Sequence, residues 1–131
     1  MPKISAVIIT YNEELFIDRC LASLEGIADE IVVVDSYSTD GTEDICKRYN
    51  VKFIKHEFEG YRDQKNFALK LATYKHILSL DADEALSSRL RESIISNFNI
   101  ELFFRKSIIY YPSQNQTDNH GTKIMPGYRI L

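Results

Sequence analysis

The stretch Ile77-Leu78-Ser79-Leu80-Asp81-Ala82-Asp83-Glu84 decides how this chain is read, because an apolar run the length of one buried strand stops abruptly at three acids. Successive side chains of a strand point to opposite faces, so an extended backbone projects Asp81 and Asp83 together and turns Ala82 away. Like charges so placed repel unless something positive lies between them. A divalent ion carrying phosphate oxygens is the usual remedy, since Mg2+ is held by one or two carboxylates and completes its shell with phosphate and water. The bland alternative is a solvated turn in which Asp83 or Glu84 leads into the next helix, and for an isolated D-x-D it is the better reading. The weight therefore falls on the chain that precedes it.

Outward from that stretch, the pattern alternates between strands and helices. Ile4 to Thr10 is β-rich and almost wholly apolar, as in a strand covered on both faces. Asn12 is expected to cap a helix, with Glu13 and Glu14 in its first turn and Ile17, Cys20, Leu21 and Leu24 on its buried stripe. Gly26 ends it. Ile31 to Val34 is a second β-branched run closed by Asp35, and the polar segment Ser36 to Thr42 opens a helix with Ile45, Cys46 and Tyr49 inward. Val51 to His56 reads as a third strand, and residues 62–73 as a helix burying Phe67, Ala68, Leu71 and Ala72. After the acidic turn, Ser87 or Ser88 caps a helix with Leu90, Ile94, Ile95 and Phe98 inward. This alternation predicts an α/β, doubly wound, mainly parallel sheet. Leu102 to Tyr111 reads as a strand or a membrane-surface contact, and Ser113 to Lys123 as loop.

A chain of 131 residues with 44% hydrophobic and 27% charged residues supports one soluble domain. Its net charge of -3 leaves no basic footprint for nucleic acid. No apolar run approaches the ~18 residues of a membrane span. Met1-Pro2-Lys3 leads into the first strand without a secretory pattern, so the expected compartment is cytoplasmic. Cys20 and Cys46 lack metal-ligand spacing and are expected to be buried thiols. His56, His76 and His120 share no such spacing either and read as ordinary surface or strand-end residues.

Ligands of open parallel sheets bind beyond the carboxyl ends of the strands. Polar clusters stand there in this chain: Thr10-Tyr11-Asn12-Glu13, Asp35, and Asp81-Ala82-Asp83. Helix capping accounts for one such cluster but gives no reason for the second and fourth strands to end in carboxylates. Neither G-x-G-x-x-G nor G-x-x-x-x-G-K-[ST] is present, which sets aside dinucleotide oxidoreductases and P-loop NTPases.

The segments Val7 to Glu13, Val32 to Thr42 and Leu78 to Glu84, in that order, resemble the GT-A-fold inverting glycosyltransferases of family 2, and more narrowly the branch that builds lipopolysaccharide core and related surface glycans. The resemblance covers roughly residues 3–98. It implies that Thr10, Tyr11 and Asn12 line a nucleobase pocket, that Asp35 accepts a hydrogen bond from the base, and that Lys65 lies near the nucleotide. It further implies that Asp81 contacts the ribose, with Ala82 in the same donor-binding turn, and that Asp83 binds the Mg2+ or Mn2+ bridging the diphosphate. The implied partners are a nucleotide-diphospho-sugar donor, by expectation a UDP-sugar, and a glycan or lipid-linked acceptor. Ser36 stands where much of the family has a second acid. Family members are longer and carry their general base after the D-x-D; no residue of this chain is assigned that role. The expected organisation is a donor-binding core at 1–98 and a tail at 99–131, either truncated or altered, holding part of the acceptor side.

From the residues alone, alternatives stay open. Tyr11 can simply pack at the sheet edge, Asn12 can be only a cap, and Lys65 can be a solvated helix lysine. Asp40 reads as a first-turn helix acid, and Glu84 as either a cap or a partner of the D-x-D. The competing functions are a non-catalytic nucleotide-sugar-binding fragment lacking the general base, and a phosphatase with a nucleophilic aspartate, which wants D-x-D after the first strand instead. A weak, peripheral membrane contact through Phe103, Phe104, Arg105 and Lys106 is a further expectation.

Overall fold

The computed structural model describes residues 3–96 and the strand pairs 109–110, 116–117 and 123–124. Strands β1 (Ile4–Thr10), β2 (Glu30–Asp35), β3 (Lys52–Lys55) and β4 (His76–Asp81) alternate with helices α1 (Ile17–Ser23), α2 (Thr42–Cys46), α3 (Tyr61–Leu71) and α4 (Ser88–Ser96). The main sheet runs β3-β2-β1-β4-β5, with β5 (Ile109–Tyr110) antiparallel to β4 and the other neighbours parallel. β6 (Gln116–Thr117) and β7 (Lys123–Ile124) form a separate antiparallel pair. The doubly wound, mainly parallel expectation therefore holds. The segment read as loop from Ser113 to Lys123 contains strand residues, because two-residue pairings leave no period in sequence.

Alternation along the strands builds two cores. Ile4, Ala6 and Ile8 of β1 join Val33, Leu78 and Leu80 beneath α1, α2 and α4, where Ile17, Cys20, Leu21, Leu24, Cys46 and Ile94 are buried. Val7, Val32, Val34 and Ile77 point the other way and meet Ala68 and Leu69 of α3. Each such fully buried aliphatic side chain contributes roughly 1.5–3 kcal/mol. The expected stripe of α1 is confirmed at all four positions, each 0% exposed. Gly26 follows that helix at φ +77, a conformation a side chain resists.

The helix ends correct several expectations. Asn12 is not a cap: α1 begins at Ile17, because Glu13 O accepts from the Phe16 and Ile17 amides. Ser87 caps α4 as expected, its Oγ accepting from Leu90 N at 3.1 Å. Ile95, expected inward, is 51% exposed, since Leu90 and Ile94 already complete the stripe facing the sheet. Leu69 and Gln64, not Phe67 and Leu71, are the fully buried residues of α3 alongside Ala68. Phe98, His120 and the patch Phe103, Phe104, Arg105 and Lys106 lie outside the described residues. Among the described residues, no helix is long and apolar enough to cross a membrane.

Candidate functional site

Register brings the acidic strand ends together. Thr10 is paired with Asp35 across β1 and β2, and Ile9 with Asp81 across β1 and β4, so three neighbouring strands finish at one edge. A cleft of about 410 Å³ opens there, lined by Ile9, Thr10, Tyr11, Glu13, Ser36, Phe58, Tyr61, Asp81, Ala82 and Asp83.

The acidic stretch is a turn rather than a continued strand: β4 stops at Asp81, and Glu84 N donates to Asp81 O at 2.9 Å. Ala82 still points back into the core, 3% exposed, while Asp83 is exposed in the cleft. The turn is tied to α1, since Arg19 Nη2 donates to Asp83 O at 2.7 Å, and Leu86 N donates to Ser23 Oγ at 3.0 Å. Asp81, Asp83 and Glu84 each offer a carboxylate oxygen within 4.8 Å of the others. This is a hard, all-oxygen donor set of the kind that suits Mg2+ or Mn2+. Asp81 lies on the α3 side of the sheet, and Lys65 Nζ reaches its Oδ1 at 3.1 Å. Lys65 is thus placed in the site through Asp81, and is not a purely solvated lysine. Glu84 Oε1 accepts from Asp81 N at 2.9 Å, so Glu84 also braces the turn.

Glu13 adds a further carboxylate. Burial, followed by the charges of Asp83, Asp40 and Asp81, raises its pKa above the ordinary value. Thr10, 5% exposed, keeps a buried Oγ1 with no hydrogen-bond partner among the described residues. An orphaned hydroxyl and a carboxylate crowded by like charge are costs that a cation and a polar ligand would relieve.

Asn12, exposed, and Asp35, buried, do not line the cleft but join the loops beside it. Asp35 is fully buried, and its carboxylate accepts from Ser38 N at 2.8 Å and from Ser38 Oγ at 2.5 Å. Asn12 N in turn donates to Ser38 Oγ at 2.8 Å, while Asn12 Oδ1 accepts from Thr39 N at 2.8 Å. The pair locks the loop after β1 to the loop after β2. Both loops hold left-handed residues, Asn12 at φ 50 and Tyr37 at φ 60, and such strain in a non-glycine residue costs about 1–2 kcal/mol. Asp40 sits before its helix, where Oδ1 accepts from Thr42 N at 3.0 Å, and it also accepts from Glu14 N at 3.2 Å.

Of the residues singled out from sequence, Thr10, Tyr11, Asp81, Ala82 and Asp83 line the cleft and Lys65 joins them; Asn12 and Asp35 do not line it. Glu13, Ser36, Phe58 and Tyr61 were not foreseen as lining residues. Glu13 belongs to the polar cluster that follows the first strand, whereas Phe58 and Tyr61 flank Gly60 with no periodicity to mark them. His56 is no ordinary strand end: its ring stacks on Phe67 with centroids 3.6 Å apart, and its Nδ1 lies 2.8 Å from Gln64 Oε1.

The chain is 47% identical over 94 residues to an uncharacterized glycosyltransferase of Rickettsia felis, covering 72% of this chain and 33% of that protein. It is 42% identical over 99 residues to the lipopolysaccharide core biosynthesis glycosyltransferase LpsC of Rhizobium meliloti, covering 70% of this chain and 36% of that protein. It therefore spans about a third of the length of these curated relatives. Among solved structures, S. aureus TarS 1-349 in complex with UDP-GlcNAc superposes with a TM-score of 0.62 at 32% identity, over 72% of this chain and 29% of that one. The family model for glycosyl transferase family 2 matches residues 5–128, nearly the whole chain, and the protein belongs to that family.

Proposed function

We propose that residues 1–98 form the donor-binding core of a metal-dependent, inverting glycosyltransferase that takes its sugar from a nucleotide-diphosphate donor, a UDP-sugar, and passes it to a glycan or lipopolysaccharide-type acceptor. The observation that carries this reading is the group Asp81, Asp83 and Glu84, with oxygens within 4.8 Å of one another beside the ends of β1 and β2. Membership of family 2 and the UDP-GlcNAc bound to S. aureus TarS support the nucleotide-sugar class.

In this reading Asp83, exposed and fixed through its backbone by Arg19, holds the cation, with Asp81 and Glu84 shaping the turn. A Mg2+ or Mn2+ held by these carboxylates would supply positive charge to a departing diphosphate. Lys65 orients Asp81 toward the ribose, and Tyr11 and Thr10 border the nucleobase. Asn12 and Asp35 keep the two loops in register, and an Asp35 contact to the base requires Ser38 to yield one of its bonds. The protein acts in the cytoplasm, at most peripherally bound at the inner membrane face.

Thermal denaturation tests this. UDP with Mn2+ raises the melting temperature of the wild type, and Asp83→Ala removes the increase. A wild type unmoved by any nucleoside diphosphate contradicts the reading.

A further inference from the structure

The turn that carries Asp83 and Glu84 hangs from one helix, α1. Arg19 Nη2 donates to Asp83 O at 2.7 Å, and Ser23 Oγ accepts from Leu86 N at 3.0 Å. Arg19 and Ser23 stand one helical turn apart, so both meet the acidic turn from the same face. Ser23 Oγ gives its own proton to Cys20 O at 2.7 Å, which leaves its lone pairs for Leu86 N. The last carbonyls of a helix lack partners within it, and α1 carries no basic residue in its last turn to meet them. Arg91, half-buried on α4, supplies that charge from outside: its Nη1 donates to Ser23 O and lies 3.5 Å from Ala22 O. The acidic turn runs directly into α4, so these contacts close a ring from Asp83 to Arg19, along α1 to Ser23, across to Arg91, and back through α4. Ala82 and Leu86, 3% and 7% exposed, pin the same turn into the core, which leaves its carboxylates as the groups free to meet a ligand. Neither Ser23 nor Arg91 lines the cleft.

We infer that Arg91 and Ser23 are positioning residues for the proposed cation site, which set the separation of Asp83 and Glu84 by clamping α4 and the turn onto α1. They act through the backbone of the turn and touch neither cation nor nucleotide. The inference deepens the nucleotide-sugar reading and rests on it.

Titration of Mn2+ into the full chain with UDP present, followed by the electron spin resonance signal of free Mn2+, tests it, alongside UDP affinity without metal and the melting temperature. A group that bonds the residue of a metal ligand typically carries about tenfold in metal affinity, so Arg19→Met should lose about that much. Arg91→Met and Ser23→Ala, one contact further out, should each lose about threefold. Arg91→Lys, which keeps a charged donor, should recover most of the loss. Metal-free UDP affinity should stay at the wild-type value in every variant, at a temperature where each is folded. A lower melting temperature with wild-type Mn2+ affinity would leave Arg91 a cap of α1 alone and overturn the inference. An equal loss of Mn2+ and of metal-free UDP binding, the mark of general loosening, overturns it too. Should Arg91→Met not fold, Ser23→Ala carries the test, because both residues act at the same junction. A wild type that takes up no Mn2+ with UDP overturns the inference and the nucleotide-sugar reading together.

Discussion

The two ends of the sheet both carry acids, and they treat them in opposite ways. At the amino end, Glu30 Oε1 accepts from Ser5 Oγ at 3.1 Å and from Thr73 N at 2.9 Å, and Oε2 meets Lys52 Nζ at 3.0 Å. Burial alone would push the Glu30 pKa up, but the bonds from Thr73, Lys52 and Ser5 outweigh it and bring it down to about 2. Asp29 Oδ2 likewise accepts from Ile4 N at 2.9 Å. At the carboxyl end, Asp81, Asp83 and Glu84 crowd one another, the Glu13 pKa is raised, and Thr10 Oγ1 is left without a partner. Acids matched by donors and a lysine hold strands in place, whereas carboxylates crowded by like charge carry a cost that a cation can relieve. On the proposed reading the first end serves the fold and the second the chemistry.

That contrast breaks most visibly at Glu30. Glu30→Ala, which strips three partners at once, should cost about 2–3 kcal/mol in urea denaturation while leaving UDP affinity unchanged. A stable variant, or one that loses nucleotide, would place function at the wrong end. The pH dependence sharpens the point. Because the folded pKa of Glu30, about 2, lies below the unfolded value, its contribution is complete above the unfolded pKa. It declines as acid brings the protein through that value toward the folded one. The loss is on the order of 3 kcal/mol, and Glu30→Gln should flatten this part of the stability curve.

At the other end the signs reverse. The raised pKa of Glu13 means that the folded protein takes up that proton more readily than the unfolded chain, so its contribution rises as pH falls through the raised value. Glu13→Gln should therefore raise the melting temperature of the ligand-free protein near neutral pH and weaken Mn2+ binding, read by calorimetry. Thr10→Val should give the smallest effect: stability unchanged or higher by about 0.5–1 kcal/mol, with UDP bound several-fold more weakly. A variant less stable without ligand would show that the hydroxyl is satisfied after all.

The sequence was most legible where period and strand termini coincide. The apolar runs of β1, β2 and β4 and the i, i+3, i+4, i+7 stripe of α1 specified both cores, and the acids that close β2 and β4 marked the ligand edge. Less legible were features set by tertiary pairing. Asn12 looks like a cap in isolation, and only the neighbouring loop, with Ser38 and Thr39 in reach, gives it another task. Gln64 stands at the head of the α3 stripe, three and four residues before Phe67 and Ala68, but a polar side chain there does not read as core until Ser36 and His56 close around it. The resemblance implies a hydrogen bond from the base to Asp35, and strand alternation, invisible in that motif, sets its side chain on the side of Val33, where Ser38 bonds it. Phe58 and Tyr61 come to the cleft through the turn at Gly60, φ +121, which no hydrophobic pattern announces.

Titration of UDP into wild type and Asp83→Asn, each with and without Mn2+, bears most directly on the strand-end acids as a cation and diphosphate site. The metal should tighten UDP binding to the wild type by at least about tenfold, the scale of one strong charge-assisted contact, and leave the Asn variant unaffected. Equal UDP affinities in all four titrations would contradict the account.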